Sequence, residues 1–203
     1  MAEALRRDGG PCLLDVPLPE VLRLAAGALG KHVRDVVVMT LDRPRHADVI
    51  RAVREAGAGL RMISDGDITA AVTPSLPESG VDLYVGAGGS PEAVLAAAAL
   101  KCLGGDMQVP MWFHEEAHRA EVSAQVAPED LERVFHVDDL VVGESALFCA
   151  TGISDGALLP GTKVLGHQAG THPILMRARS RTVRHSRAAH HLDHKVIPLR
   201  SRP

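Results

Sequence analysis

Aromatic side chains are nearly absent from this chain: they make up 2% of its 203 residues. Proteins that bind single-stranded nucleic acid stack the bases on aromatic rings, and too few rings are present here for that role. A net charge of −3 and a pI near 6.4 provide no excess of positive charge for nucleic acid or an anionic membrane surface. We therefore predict no nucleic-acid partner.

Cysteine and long apolar runs are also scarce. Cys12, Cys102 and Cys149 are odd in number, widely spaced and without a CxxC motif, which does not suit a disulfide framework. The longest apolar stretch, residues 93–100, is much shorter than the ~20 residues that a membrane-spanning helix needs. The first residues lack the apolar region of a signal peptide. We predict a cytoplasmic protein with no membrane partner.

Aliphatic residues dominate what is present, and they recur in a strand-turn-helix order. A helix predicted over residues 18–29 precedes three predicted strands, residues 36–41, 60–63 and 81–85. A polar or glycine-rich turn and a helix follow each strand, and two of these helices are predicted at residues 68–73 and 93–103. This repetition is typical of right-handed βαβ crossovers, so we predict an α/β fold with a mixed, largely parallel sheet.

The second half has weaker periodicity. We predict helices at residues 115–126 and 128–134, a strand at 146–150, and closing antiparallel strands at 164–167 and 174–177. Residues 1–17 have the composition of a loose lead-in, residues 18–184 carry the fold, and residues 185–203 form a basic, His-rich tail. We expect this tail to be poorly ordered.

The turns after the three strands carry the chemistry, because ligands in open α/β sheets bind beyond the carboxyl ends of the strands. The first turn holds two guanidinium groups suited to phosphate, and the second holds two carboxylates around a glycine. The third is a glycine-rich turn that leads into a helix N-terminus, where free N–H groups attract anions. The candidate side chains are Arg43, Arg45 and His46 in the first turn, Asp65 and Asp67 in the second, and Glu92 after the third.

Carboxylates beside phosphate-binding groups favour a divalent cation between them, and oxygen ligands favour Mg²⁺ or Mn²⁺. Phosphoryl transfer to water at a metal site fits this set. Each residue also has a simpler interpretation: Asp65 and Asp67 as helix or turn caps, Glu92 as a helix-dipole partner, Arg43 and Arg45 as solvated charges. The glycine-rich turn leaves open a nucleotide-binding dehydrogenase domain.

At these residues the chain resembles the class II fructose-1,6-bisphosphatase family, including its bifunctional fructose-1,6-/sedoheptulose-1,7-bisphosphatase members. The resemblance extends from about residue 16 to about residue 184. The matching segments are residues 41–46 (LDRPRH), 63–67 (ISDGD), 79–82 (SGVD), 88–92 (GGSPE), 96–105 (AAAALKCLGG) and 150–156 (ATGISDG). Their order and spacing match as well as their content.

The resemblance implies a layered α/β sugar-phosphatase fold and a sugar bisphosphatase of gluconeogenesis and carbohydrate metabolism. Such an enzyme uses Mn²⁺ or Mg²⁺ to hydrolyse the 1-phosphate of fructose 1,6-bisphosphate, and in some members that of sedoheptulose 1,7-bisphosphate. By the family pattern, Glu92 would bind the metal. The sugar bisphosphate would contact Arg43, Pro44, Arg45, Asp65, Gly66, Asp67 and Gly89.

The family also carries an N-terminal segment with most of its metal-binding carboxylates and a threonine that positions the attacking water. We expect this chain to begin after that segment, so its catalytic residues are not assigned. Two functions follow: a bisphosphatase active when that segment is supplied, or an inactive homologue that binds sugar phosphates or serves as a subunit. The expected partners are a second copy in a homo-oligomer or a separate N-terminal half.

Overall fold

A computed structural model of the protein describes residues 12–113 and 115–195. Its first half alternates helices and strands as predicted. The elements are α1 (Leu18–Leu29), β1 (Val37–Leu41), α2 (Ala47–Glu55), β2 (Gly59–Ile63), α3 (Asp67–Val72), β3 (Leu83–Tyr84) and α4 (Ser90–Leu103). The three strands form one sheet in the order β2-β1-β3, and both pairings are parallel.

The β-branched composition of β1 explains its central place in this sheet. Val38 pairs with Leu60 of β2 on one side and with Leu83 of β3 on the other. Successive side chains of a strand point to opposite faces, so a strand covered on both faces needs an unbroken apolar run. Val38 packs with helices α1 and α2, and the next residue, Met39, packs with Ala70 of α3.

The second half forms short helices and antiparallel sheets. Its helices are α5 (Glu116–Ser123), α6 (Pro128–Leu131) and α7 (Val137–Leu140). Its strands are β4 (Val109–Pro110), β5 (Val134–Phe135), β6 (Leu147–Thr151), β7 (Lys163–Leu165), β8 (Gln168–Thr171), β9 (Pro173–Arg177), β10 (Thr182–His185) and β11 (Ala188–His191). Their sheets have the orders β10-β9-β6, β11-β8-β7 and β4-β5.

A second core joins the two halves. Val72 of α3 and Ala99 of α4 pack in one cluster with Phe148 of β6 and with Ile174 and Met176 of β9. The layers therefore follow the order α1 and α2, parallel sheet, α3 and α4, antiparallel sheet β10-β9-β6. This arrangement confirms the predicted layered α/β class, with parallel pairing confined to β1, β2 and β3 among the described strands.

Strand pairing accounts for the local differences from the predicted elements. The helix expected over residues 128–134 ends at Leu131, because Val134 and Phe135 pair with Pro110 and Val109. Within the expected tail, Ala188–His191 forms a strand against β8, and Thr171 Oγ1 lies 2.9 Å from His190 Nε2. Residues 1–11 of the lead-in and 196–203 of the tail lie outside the described residues.

None of the helices in the described ranges has the length and apolar character that crossing a bilayer requires.

The buried side of α1 provides a test of the packing on the parallel sheet. Leu22 is fully buried, whereas Leu24 of the same helix is 37% exposed. We expect Leu22→Ala to lower the free energy of unfolding by about 2–5 kcal/mol, because it leaves a cavity against the sheet. Leu24→Ala is the matched control, with an expected change of about 0.5 kcal/mol or less. Equal losses in urea denaturation would contradict this placement of α1.

Candidate functional site

Three turns lie at one edge of the parallel sheet, where β1, β2 and β3 end. β1 and β2 end at the same level, since Leu41 pairs with Ile63, the last residue of β2. β3 pairs with the middle of β1, so the chain after Tyr84 continues toward the same edge. The turns 42–46, 64–66 and 85–89 thus meet as predicted from their positions after the strands.

His46 ties the first turn to the third through its imidazole ring. This side chain is 2% exposed. Its Nδ1 lies 2.9 Å from the carbonyl oxygen of Leu41, and the backbone N–H of Ala87 donates to its Nε2 at 2.9 Å. A carbonyl only accepts and a backbone N–H only donates, so the pair of bonds selects the neutral ring with its proton on Nδ1. His46 therefore fixes the relative position of the two turns.

Arg45 reaches across the same gap. Its Nε donates to the carbonyl oxygen of Ala87 at 3.0 Å, and no hydrogen bond within residues 12–113 and 115–195 uses its terminal nitrogens. Pro44 opens the short 3-10 turn, Pro44–His46, that carries this arginine. The Arg43 guanidinium lies 4.0 Å from Asp65 Oδ1, and both side chains are exposed, so this ion pair contributes little stability. Two guanidinium groups therefore border the edge of the sheet.

The second turn is shaped by Asp65 and Gly66. Asp65 Oδ1 accepts a hydrogen bond from the backbone N–H of Gly66 at 2.9 Å, and this carboxylate is 89% exposed. Gly66 has a φ of 99°, a conformation that residues with a side chain rarely adopt. The chain then enters α3 at Asp67. This turn therefore presents one carboxylate to solvent and directs the next one into the site.

Asp67 contacts two neighbours from the third turn and its strand. The Tyr84 hydroxyl donates to Asp67 Oδ1 at 3.1 Å. A Cβ at Gly88 would lie 3.2 Å from Asp67 Cγ, so glycine at this position avoids a close contact with the carboxylate. Burial raises the pKa of the Tyr84 phenol, and the Asp67 carboxylate raises it further. The phenol therefore remains a donor throughout the neutral range.

The third turn ends in the first turn of α4. Glu92 lies there, and its Oε2 folds back so closely over Gly89 that a Cβ on that residue would overlap it. No side chain caps this helix end, so its free N–H groups face the same region as the glycine-rich turn. Binding of an anion at this end of α4 stays a prediction.

The described carboxylates do not form a complete metal centre. In the two described ranges, no three His, Cys, Asp or Glu side chains come close enough together to hold a metal ion. Mg²⁺ and Mn²⁺ usually take six oxygen ligands, of which a protein can supply as few as one or two when phosphate and water complete the set. The described residues alone therefore do not fit an all-protein site for these ions.

The structure brings together the predicted turns, and it places the matching segment 150–156 at the end of β6 in the antiparallel sheet β10-β9-β6. Residues 150 and 151 end β6, and residues 152–156 continue into a loop in which Thr162 donates to the Gly152 carbonyl and the Gly161 N–H donates to Asp155 Oδ1, both at 2.8 Å. Sequence reasoning missed Tyr84 and the backbone of Ala87 as parts of the site. The signal for Tyr84 was its place as the only tyrosine, at the end of a strand before the glycine-rich turn.

Replacing His46 tests the link between the turns. We expect His46→Ala to lower the free energy of unfolding by about 2–4 kcal/mol, since it removes a buried ring and leaves the Ala87 N–H without its acceptor, whereas the Leu41 carbonyl keeps its bond from the Arg43 N–H. Exchange of the Ala87 amide hydrogen should accelerate. His32→Ala changes an exposed histidine and should leave both quantities unaltered. Slow exchange at Ala87 in His46→Ala would show that the turns are held by other contacts.

Alkaline titration tests the environment of Tyr84. Because Tyr84 is the only tyrosine, ultraviolet absorbance of phenolate reports on it alone. The midpoint should lie above the ordinary tyrosine pKa of about 10. Asp67→Asn should lower it only partly, since burial is the larger cause. The phenol has the ordinary pKa of about 10 in the unfolded chain and a higher pKa in the folded chain, so the unfolded chain loses this proton at a lower pH. Above about pH 10, deprotonation therefore stabilises the unfolded chain, and the free energy of unfolding should fall with pH more steeply than in Tyr84→Phe. An ordinary midpoint would contradict the burial.

Comparison with known proteins gives concordant matches. The family model for the bacterial, glpX-encoded fructose-1,6-bisphosphatase matches residues 9–190. The fructose-1,6-bisphosphatase class 2 of Haemophilus influenzae is 40% identical over 199 residues, which cover 92% of this chain and 60% of that protein. The D-fructose 1,6-bisphosphatase class 2/sedoheptulose 1,7-bisphosphatase of Synechococcus sp. (strain JA-3-3Ab) is 37% identical over 195 residues, 91% of this chain and 56% of that protein.

A second Synechococcus strain, JA-2-3B'a(2-13), has a protein with the same description that is 35% identical over 195 residues. The chain spans less than two thirds of the length of each of these relatives. The family match nevertheless covers most of the chain, including every turn of the site. The chain belongs to the family of glpX-encoded bacterial fructose-1,6-bisphosphatases.

Proposed function

We propose that this chain binds fructose 1,6-bisphosphate at the edge of its parallel sheet and takes part in hydrolysis of the 1-phosphate. Sedoheptulose 1,7-bisphosphate is the second substrate of the proposal, as the description of the Synechococcus relatives includes it. One observation carries the proposal: the backbone of Ala87 holds both His46 and Arg45, so phosphate-binding groups from two turns converge in a chain of this family.

The groups at this edge suit the two parts of a sugar bisphosphate. Guanidinium groups and free helix N–H groups bind phosphate oxygens, which assigns phosphate contacts to Arg43, Arg45 and the turn at Gly89. Ionised carboxylates only accept hydrogen bonds, so Asp65 and Asp67 suit the hydroxyl groups of the sugar. Pro44 and Gly66 act through the backbone shape of the two turns.

Mn²⁺ or Mg²⁺ is part of the proposal, with Glu92 as one ligand. A divalent cation reduces the repulsion between this carboxylate and a nearby phosphate. The described residues contribute no group of three ligands, so the remaining ligands would come from phosphate, water and other polypeptide, either a second copy or a separate N-terminal half.

The same finding favours a second function. A chain of this family whose described residues hold no group of three metal ligands can bind sugar phosphates without hydrolysing them, as a binding protein or as a subunit of a larger assembly. The two functions make the same prediction for binding and opposite predictions for turnover.

Phosphate release from fructose 1,6-bisphosphate by the purified chain, with Mn²⁺ and with a chelator, separates these functions. Hydrolysis predicts metal-dependent release that Asp67→Ala and Glu92→Ala abolish. Binding without release would support the second function. For both, Arg45→Gln should weaken binding of the bisphosphate about 10- to 100-fold, the loss typical of a charge-assisted hydrogen bond.

Arg51→Gln provides the matched control for Arg45→Gln. Arg51 lies on α2, where it pairs with Asp48 at 2.6 Å, so its loss should leave the dissociation constant unchanged. An unmodified chain that neither binds nor hydrolyses the bisphosphate would overturn both functions.

A further inference from the structure

The Tyr84 hydroxyl occupies a place in the site to which the proposed function assigns no role. Its donor bond to Asp67 Oδ1, at 3.1 Å, joins β3 to the first residue of α3, 17 positions earlier in the chain. The side chain is partly buried among Met39, Leu41 and Ala70, so only its hydroxyl end reaches the site. A tyrosine in this setting is an apolar side chain with one directed polar atom.

The glycine-rich turn is shaped around this hydrogen-bonded pair. A Cβ on Gly86 would overlap the Tyr84 hydroxyl, and a Cβ on Gly88 would approach Asp67 Cγ to 3.2 Å. Side chains at either position would therefore press on the phenol or on the carboxylate. The two glycines leave room for the pair as well as for a ligand.

The contact engages one of the two carboxylate oxygens of Asp67. Oδ1 accepts the phenol, and no hydrogen bond within residues 12–113 and 115–195 uses Oδ2. An ionised carboxylate accepts at both oxygens, so Oδ2 retains its full capacity for a donor. Because the phenol holds Oδ1, rotation of the carboxylate is restricted, and Oδ2 is held in one orientation.

We propose that Tyr84 is a positioning residue that fixes Asp67 Oδ1 and so directs Oδ2 to accept a hydroxyl group of the sugar. This inference rests on the proposed binding of a sugar bisphosphate and adds to it the side chain that sets the direction of one acceptor. Tyr84 acts through Asp67 and needs no contact with the sugar itself.

The charges around the phenol agree with this role. Two charged groups act on it, the carboxylate of Asp67 and the guanidinium of Arg45. The raised pKa of Tyr84 keeps the hydroxyl protonated, and hence a donor, throughout the neutral range, in which the carboxylate of an aspartate is ordinarily ionised.

Calorimetric titration of four variants with two ligands tests the inference. The variants are the unmodified chain, Tyr84→Phe, Asp67→Asn and the double variant, and the ligands are fructose 1,6-bisphosphate and inorganic phosphate. Tyr84→Phe should raise the dissociation constant of the sugar bisphosphate about 3- to 10-fold, the range expected for one lost hydrogen bond. Inorganic phosphate has no sugar hydroxyl, so its dissociation constant should change less than about twofold.

The double variant distinguishes positioning from general loosening of the site. If Tyr84 acts through Asp67, Tyr84→Phe should cause no further loss of sugar bisphosphate affinity in the Asp67→Asn background. Thr182→Val removes a hydroxyl from the distant strand β10, where it contacts Ser180, and should change neither dissociation constant. Thermal unfolding of each variant identifies any that fails to fold.

Other outcomes would overturn either the positioning role of Tyr84 or the proposed function. Unchanged sugar bisphosphate affinity in Tyr84→Phe, or an equal loss for both ligands, would overturn the positioning role while the proposed function stands. If Tyr84→Phe causes the same loss of sugar bisphosphate affinity in the Asp67→Asn background, Tyr84 acts independently of Asp67. That result would also overturn the positioning role. An unmodified chain that binds neither ligand would overturn the proposed function and this inference together.

Discussion

The site depends on one buried imidazole that holds two turns of backbone together. His46 bonds to the carbonyl of Leu41 at the end of its own strand and to the N–H of Ala87 across the sheet edge. The carbonyl of Ala87 accepts Arg45, so both polar backbone groups of this one residue are used by the turn after β1. Because these bonds involve backbone atoms, the spacing of the turns depends little on the other side chains in them.

The layers of the fold position the remaining groups. α3 and α4, which begin with Asp67 and Ser90, lie between the parallel sheet and the antiparallel sheet β10-β9-β6. Alanines on α4 allow close approach, and Ala96, Ala97 and Ala99 are all buried. A shift of either helix would have to disturb a close-packed core. The acidic groups at the helix starts are therefore held by apolar packing at a distance from them.

Local patterns in the sequence were sufficient to predict the first half of the fold. The β-branched run of β1 and the turn residues after each strand depend on neighbours in sequence, so helices, strands and the shared edge were predictable. The pairings of Val134 with Pro110 and of His190 with Ala169 join segments whose own periodicity is weak, and they were not. The contact of Tyr84 with Asp67 was also missed, because a hydrogen bond between the end of β3 and the start of α3, 17 residues earlier, has no sequence pattern.

The order of the layers along the chain has a consequence for synthesis on the ribosome. All residues of the site lie before the end of α4 at Leu103, whereas β9, which covers the outer side of α3 and α4, ends at Arg177. About 70 residues separate these points, which at a synthesis rate of roughly 5–20 residues per second corresponds to about 4–15 s. During that interval the parallel sheet and its ligand edge can form, while Val72 and Ala99 still face water. The nascent chain thus exposes an apolar surface that a chaperone can bind until the antiparallel sheet arrives.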